Sequence, residues 1–337
     1  MKVREIEGLF DCNLHEIGKM ADSMNDRVMF VVNRHINYTD VCVSKCPLCA
    51  FNNREGYLLA VDEVVERARE AYREGAAEVH IVGGHNPDVG IEYFEEIFRR
   101  IKQEMPDVVI KALAATEVYY YAKKERVSVR EFLSRLKDAG LQAMPGGGAE
   151  ILVDSVRKVI CPNKCTSEEW LKVMRIAHEL GIRSNATMLF GHVETIRHRA
   201  IHLYRLRKLQ ERTGGFISFI PLVFHPENTE LKKKGIVQDK TDVVDILKTI
   251  AVSRVVLDNF RSVRAYWVML GEKLTEVAVR YGANDIDGTL MEEKITHAAG
   301  AETPTHLTVE KLVEIGKAAG KRVAQRDTFC NIVKWYT

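Results

Sequence analysis

One pattern constrains this chain above all others. From about residue 28, an apolar β-branched run, an amphipathic helical stretch and a glycine recur in that order at a nearly fixed interval. The strand-like runs are Val28 to Asn37, Glu78 to Val82, Val108 to Leu113, Leu141 to Met144, Arg183 to Phe190 and Phe216 to Phe224. Helical periodicity fills the intervals, and Gly75, Gly140, Gly181 and Gly214 stand where a helix C-terminus favours a left-handed residue. Such alternation predicts βαβ units on a parallel sheet. Six of them make an open sheet or a partial (β/α)6 barrel, with any ligand at the C-terminal ends of the strands. The expected organisation is α/β: a helical segment over residues 1 to 25, a barrel core over 26 to 237, and a mostly helical extension over 238 to 337 packed on it. The extension holds one strand-like run, Ser262 to Met269.

Charge excludes some partners. With 49 Lys and Arg against 47 Asp and Glu, no global field draws the chain to nucleic acid or an anionic membrane. No apolar stretch reaches the ~18 residues that a spanning helix needs, and no basic-then-apolar leader opens the chain, so a cytoplasmic protein is expected. Seven cysteines, three of them within eight residues, argue against a disulfide framework and leave thiols for metal.

Those three are Cys42, Cys46 and Cys49, spaced C-x3-C-x2-C directly after the first strand. Three thiolates on one short loop can wrap a cubane iron-sulfur cluster and leave its fourth iron open to a ligand. A zinc site would call for a fourth Cys or His at finger-like spacing, which the neighbourhood lacks. Cys161 and Cys165 form a further pair, with no third or fourth ligand at suitable spacing for a second cluster. Tyr119, Tyr120 and Tyr121 most simply pack a helix.

On this motif the sequence resembles the radical S-adenosylmethionine (SAM) superfamily. That resemblance implies a 4Fe-4S cluster whose open iron chelates SAM, and a (β/α)6 TIM-like barrel. Leu48 stands where the family usually has an aromatic residue against the adenine. Gly83-Gly84-His85 matches the place of the family's GGE-type motif, whose backbone meets the methionyl amino group, and glycine permits such close approach. Glu150, closing Pro145-Gly146-Gly147-Gly148-Ala149-Glu150, matches a ribose acceptor, and Thr187 to Glu194 is spaced like the GxIxGxxE element.

Longer strings resemble one subgroup, the aminofutalosine synthases of menaquinone biosynthesis. They include Asn33 to Thr39, Met144 to Ile151, Ile160 to Lys164, Asn185 to Thr195, Phe219 to Thr229 and Gly282 to Thr289. The subgroup is marked by His225-Pro226-Glu227-Asn228, where sister enzymes tend to carry another residue at His225. The implied reaction adds the 5′-deoxyadenosyl radical of SAM to the enolpyruvyl alkene of 3-[(1-carboxyvinyl)oxy]benzoate. Aryl migration, one-electron oxidation and loss of the carboxylate as CO2 or bicarbonate then give 6-amino-6-deoxyfutalosine, with methionine as the other product and the first electron from a donor such as flavodoxin or ferredoxin. His225 is the first candidate for a substrate carboxylate, because an imidazole can hydrogen-bond one. His85 and His192 follow, and Asn185, His35, Asn37, Thr116 and Glu117 are the other polar residues expected at the barrel mouth. Rival readings are a cyclic dehypoxanthine futalosine synthase, a deazaflavin-forming synthase, and a non-catalytic iron-sulfur or zinc protein.

Overall fold

The computed structural model describes residues 1–51 and 56–336. Its first two elements are helices, Val3–Asp11 and Leu14–Asp22, where the sequence suggests one. Asn13 divides them: its Oδ1 accepts from the His15 amide at 2.9 Å, so it caps the second helix. The apolar run from Val28 also divides. Strand β1 (Arg27–Val31) and β2 (Asn33–Asn37) enter different sheets, because the run changes pairing partners at Val32.

From β2 onward the expected alternation appears. Strands β3 (Glu78–Val82), β4 (Val109–Ala112), β5 (Ala143–Met144), β6 (Arg183–Phe190), β7 (Phe216–Val223) and β8 (Ser262–Val263) follow β2 in order within one parallel seven-stranded sheet. Helices between them cover its outer face. Gly75, Gly140, Gly181 and Gly214 all have positive φ, as predicted for helix-ending positions. Buried Ile36, Val79, Ile81 and Ile110 on the strands and Val64, Phe94, Phe98 and Phe132 on the helices make the apolar layer. The curled sheet is the predicted barrel core with a seventh strand.

The residues after 237 carry more strand than expected. Strands β9 (Asp285–Gly288), β10 (Arg322–Arg326) and β11 (Ile332–Tyr336) join β1 in a second sheet, ordered β11-β10-β1-β9. β9 also bridges Arg264, the residue after β8, through Asp285, and the chain beyond it reaches β2, where the His35 amide donates to Leu290 O at 2.8 Å. The open side of the curled sheet is thereby laced shut. Gly288 is required in this seam, since a Cβ there would lie 2.3 Å from Val31 O and 2.4 Å from Asn33 Oδ1. Among the described residues no helix is long and apolar enough to cross a membrane.

Candidate functional site

The three thiols sit on the loop that leaves the C-terminal end of β2. Backbone bonds from separate elements grip this loop: Val43 N donates to His85 O (3.0 Å), Leu48 N to Ile160 O (3.3 Å) and Leu231 N to Pro47 O (3.2 Å). Asn163 Nδ2 donates to Ser44 O at 3.0 Å. Those bonds keep the three thiols on one frame. Cys46 is buried, while Cys42 and Cys49 remain partly accessible. Burial pushes the Cys46 thiol up to about 12, with the Lys164 ammonium pulling the other way. Among the described residues no three His, Cys, Asp or Glu side chains converge on one ion. The donor set, three thiols with the partly buried Lys164 ammonium beside them, suits an anionic iron-sulfur cluster.

Gly83 and Gly84 follow β3 and press against that loop. A Cβ on Gly84 would lie 2.3 Å from Val41 O and 2.7 Å from Cys42 Cβ, and one on Gly83 would lie 2.9 Å from Thr39 O. The first neighbour these glycines must accommodate is therefore the cysteine loop itself. Behind them the Glu117 carboxylate accepts from Gly83 N (3.2 Å), Ala114 N (2.8 Å) and Tyr38 Oη (2.9 Å), while Tyr121 Oη donates to Gly84 O at 3.1 Å. Glu117 thus braces the glycines instead of lining the mouth.

His85 is likewise committed. Its Nδ1 meets Ser44 Oγ at 2.6 Å, its Nε2 meets Thr116 Oγ1 at 3.2 Å, and its ring stacks on Tyr120 at 4.6 Å. Burial, reinforced by Lys164, lowers its pKa to about 3, so the ring is neutral. It ties the cysteine loop to the first turn of the helix Ala115–Lys124 that follows β4, and has no ring nitrogen to offer a substrate.

Two further expectations change in the same way. Glu194 accepts from Gly191 N (2.7 Å), His192 N (2.9 Å) and Arg199 Nε (2.8 Å), with its side chain almost wholly buried. Those bonds brace the turn after β6 and leave it little capacity for a nucleoside. His192 is spent on Leu189 O (3.0 Å) and Val193 N (2.7 Å). Thr187 donates to Gly146 O at 2.7 Å, pinning the glycine-rich loop after β5. On that loop Glu150, at φ +45°, bonds Lys164 Nζ through Oε1 at 2.7 Å. Burial alone would raise its carboxyl, but Lys164 prevails and holds it below the ordinary range. Leu48 packs partly buried against the core beside these groups.

The inner face of the barrel is polar. Register places Asn37 beside Val82, and His35 beside His80, whose rings meet at 3.0 Å (Nε2 to Nδ1) and are kept neutral by burial. Asn185 is almost fully buried and, among the described residues, its Oδ1 has no partner, an acceptor built for a donor. Deeper lie buried ion pairs: Glu78 with Lys111 (2.6 Å), Asp285 with Arg326 (2.5 Å) and Arg264 with Asp287 (3.2 Å). At the rim, His225 Nδ1 meets Val223 O at 3.1 Å and its Nε2 meets Lys240 Nζ at 3.1 Å. The sequence reading missed Glu78, His80, Lys111, Arg264, Lys164 and Lys240. A signal existed for two of them, since Glu78 and His80 are alternate polar residues in an otherwise apolar strand.

Comparison with known proteins accords with this arrangement. Residues 36–204 match the radical SAM superfamily and residues 213–334 match the CofH/MqnC C-terminal region. The chain is 42% identical over 312 residues to the aminodeoxyfutalosine synthase of Thermus thermophilus, covering 91% of this chain and 84% of that protein. It is also 42% identical over 311 residues to the 5-amino-6-(D-ribitylamino)uracil–L-tyrosine 4-hydroxyphenyl transferase 2 of Methanosarcina barkeri, covering 91% and 81%. Among solved structures, methylornithine synthase superposes with a TM-score of 0.74 at 16% identity, covering 95% of this chain and 93% of its own. The FeFe-hydrogenase maturase HydG from Carboxydothermus hydrogenoformans gives 0.73 at 15% identity, covering 98% and 76%. At such identities these two speak to fold alone.

Proposed function

The chain belongs to the radical SAM superfamily, and from that premise we propose that it joins the adenosyl part of SAM to 3-[(1-carboxyvinyl)oxy]benzoate, giving 6-amino-6-deoxyfutalosine and methionine for menaquinone biosynthesis. The observation that carries the reading is the pairing of the gripped three-thiol loop with a polar lumen whose buried acceptor, Asn185 Oδ1, suits a hydroxyl or ammonium donor of SAM, since the benzoate ether has none. The aminodeoxyfutalosine synthase relative and the segment His225-Pro226-Glu227-Asn228 support the choice of substrate.

In this reading Cys42, Cys46 and Cys49 hold the 4Fe-4S cluster. When bound, the cluster supplies the electron that splits SAM into methionine and the 5′-deoxyadenosyl radical that adds to the alkene. The chain's own work is placement and exclusion of water. Gly83 and Gly84 offer backbone to the methionyl end, and Leu48 packs against the adenine. Glu150, its Oε1 anchored by Lys164, has a second oxygen for the ribose hydroxyls. Thr187 holds the glycine-rich loop, and Asn185 accepts from a donor group of SAM. Glu194, His192 and His85 keep the three loops in place. A small electron carrier such as flavodoxin or ferredoxin is the expected donor.

A second reading is a deazaflavin-forming transferase like the Methanosarcina barkeri relative. It draws support from a lumen whose charges are already paired and whose His35 and His80 are neutral, a surface suited to an uncharged polar ligand. Competition separates the two. Cluster-loaded enzyme is given SAM, reductant and equal amounts of 3-[(1-carboxyvinyl)oxy]benzoate and of 5-amino-6-(D-ribitylamino)uracil with tyrosine. Consumption of the benzoate ether alone is expected; consumption of the uracil and tyrosine alone would transfer the chain to the second reading.

A further inference from the structure

The proposed substrate carries two carboxylates, and their repulsion needs positive charge in the site. The lumen has none to spare among the described residues: Glu78, Asp285, Asp287 and Glu293 are paired with Lys111, Arg326, Arg264 and His297. One ammonium differs. Lys240 Nζ donates to Met269 O at 2.8 Å, on the short helix Trp267–Leu270 that follows β8, and lies 3.1 Å from His225 Nε2, on the loop that follows β7. Nδ1 of His225 faces Val223 O at 3.1 Å and so carries the ring proton, which leaves Nε2 as a lone pair accepting from the lysine. His225 therefore cannot present a donor to a carboxylate while this bond stands; it aims the lysine instead.

An ammonium has three N–H donors, and these contacts use two. Among the described residues no carboxylate lies within ion-pair distance of Lys240, and the neighbouring Glu227 is taken by Lys232 at 2.6 Å. Lys240 as a whole is exposed at the rim, yet its ammonium is crowded by protein enough for desolvation to pull its pKa below the ordinary lysine value. A cation pinned between two strand-end segments without a counter-ion gains from any anion that completes its shell.

We propose that Lys240, oriented by His225 and Met269 O, is the anchor for a substrate carboxylate at the barrel mouth. The assignment rests on the reading of the substrate as a dicarboxylate, and its test is built to fail separately from that reading. The segment that carries His225 also reaches the cysteine loop, where Leu231 N donates to Pro47 O at 3.2 Å. An anion held at Lys240 is thereby referenced to the same frame that holds the cluster ligands.

The test is equilibrium dialysis with anaerobic, cluster-loaded enzyme and SAM but no reductant, so that nothing turns over. The probes are 3-[(1-carboxyvinyl)oxy]benzoate and its two monomethyl esters. Lys240→Met should weaken the diacid by about ten- to a hundredfold, the usual effect of losing a charge-assisted hydrogen bond. One of the two esters should bind the unmodified enzyme and Lys240→Met equally well, because its lost charge is the one Lys240 holds. Lys240→Arg should recover most of the diacid affinity, and SAM affinity should be the same in all three proteins. Unchanged diacid binding in Lys240→Met overturns the anchor and leaves the function standing. Equal losses for the diacid and both esters also overturn it, since they denote a distorted mouth. If the unmodified enzyme binds SAM but not the diacid, both the anchor and the proposed substrate fall.

Discussion

Replacing Gly84 by alanine should cripple the site without unfolding the barrel. The added Cβ would lie 2.3 Å from Val41 O, 2.9 Å from Val41 C and 2.7 Å from Cys42 Cβ, whereas ordinary van der Waals contact begins at 3.4 Å. Something must therefore retreat by about 1 Å. The opposing atoms are backbone and the first atom of a ligand side chain, so no flexible tip can absorb the shift. The backbone is itself tethered, by Val43 N to His85 O and by Val41 N to Thr39 Oγ1. A displacement of about 1 Å in a reacting constellation costs on the order of a hundredfold in rate. Gly147→Ala is the control, because its nearest atom, Ala114 Cβ, would be at 3.5 Å. The assays are thermal unfolding, iron and sulfide per chain after anaerobic reconstitution, and the rate of SAM cleavage. Gly84→Ala should keep a folded transition, hold less than its about four irons and cleave SAM about a hundredfold more slowly. Gly147→Ala should stay within about twofold of the unmodified enzyme. Full iron content and undiminished cleavage in Gly84→Ala would refute the argument that this glycine exists to seat the cysteine loop.

Other expectations follow from the same geometry. Cys42→Ala, Cys46→Ala and Cys49→Ala should each abolish SAM cleavage in a folded protein, while Cys161→Ala and Cys165→Ala should keep about four irons; iron lost from Cys161→Ala would show that pair to be a ligand. Glu194→Ala strips partners from Gly191 N, His192 N and Arg199, so it should cost on the order of 3–5 kcal/mol of stability, read by denaturant titration. Its folded fraction should bind SAM normally, and a selective loss of SAM affinity would return Glu194 to the nucleoside. Burial lifts the Glu117 carboxyl to about 7 against its hydrogen-bond donors, so the folded state holds this proton more tightly than the unfolded chain. That contribution is fully present below the unfolded value near 4.5 and is lost as pH rises through about 7, on the order of 3 kcal/mol at most. Glu117→Gln should therefore flatten the fall in stability between about pH 5 and 8, and identical slopes in the two proteins would mean that Glu117 is already ionised.

What the sequence made legible was local. The helix-ending glycines were readable because each satisfies a rule confined to a few residues, and the cysteine loop stood out by its C-x3-C-x2-C spacing alone. The division of the run after Val28 was not, since nothing within it says that β1 will pair with β9 and β10 while β2 pairs with β3. β9 was hidden for a different reason. Asp285 and Asp287 point at buried Arg264 and Arg326, so the usual sign of an inward residue, apolarity, is reversed there. The candidate site divides along the same line. Glu150 and Asn185 keep open polar atoms, whereas residue type and spacing at His85, His192 and Glu194 carry no information on where a side chain turns. Lys240 was invisible because its partners are 15 and 29 residues away in sequence.

The central claim is that the adenosyl carbon of SAM becomes part of the product. The direct measurement is anaerobic turnover with SAM labelled in its adenosyl ribose, 3-[(1-carboxyvinyl)oxy]benzoate and reductant, with every labelled species resolved by mass. The account predicts label in a covalent adduct with the mass of 6-amino-6-deoxyfutalosine, formed in step with methionine. Label recovered wholly as free 5′-deoxyadenosine, with the benzoate ether untouched, would contradict it.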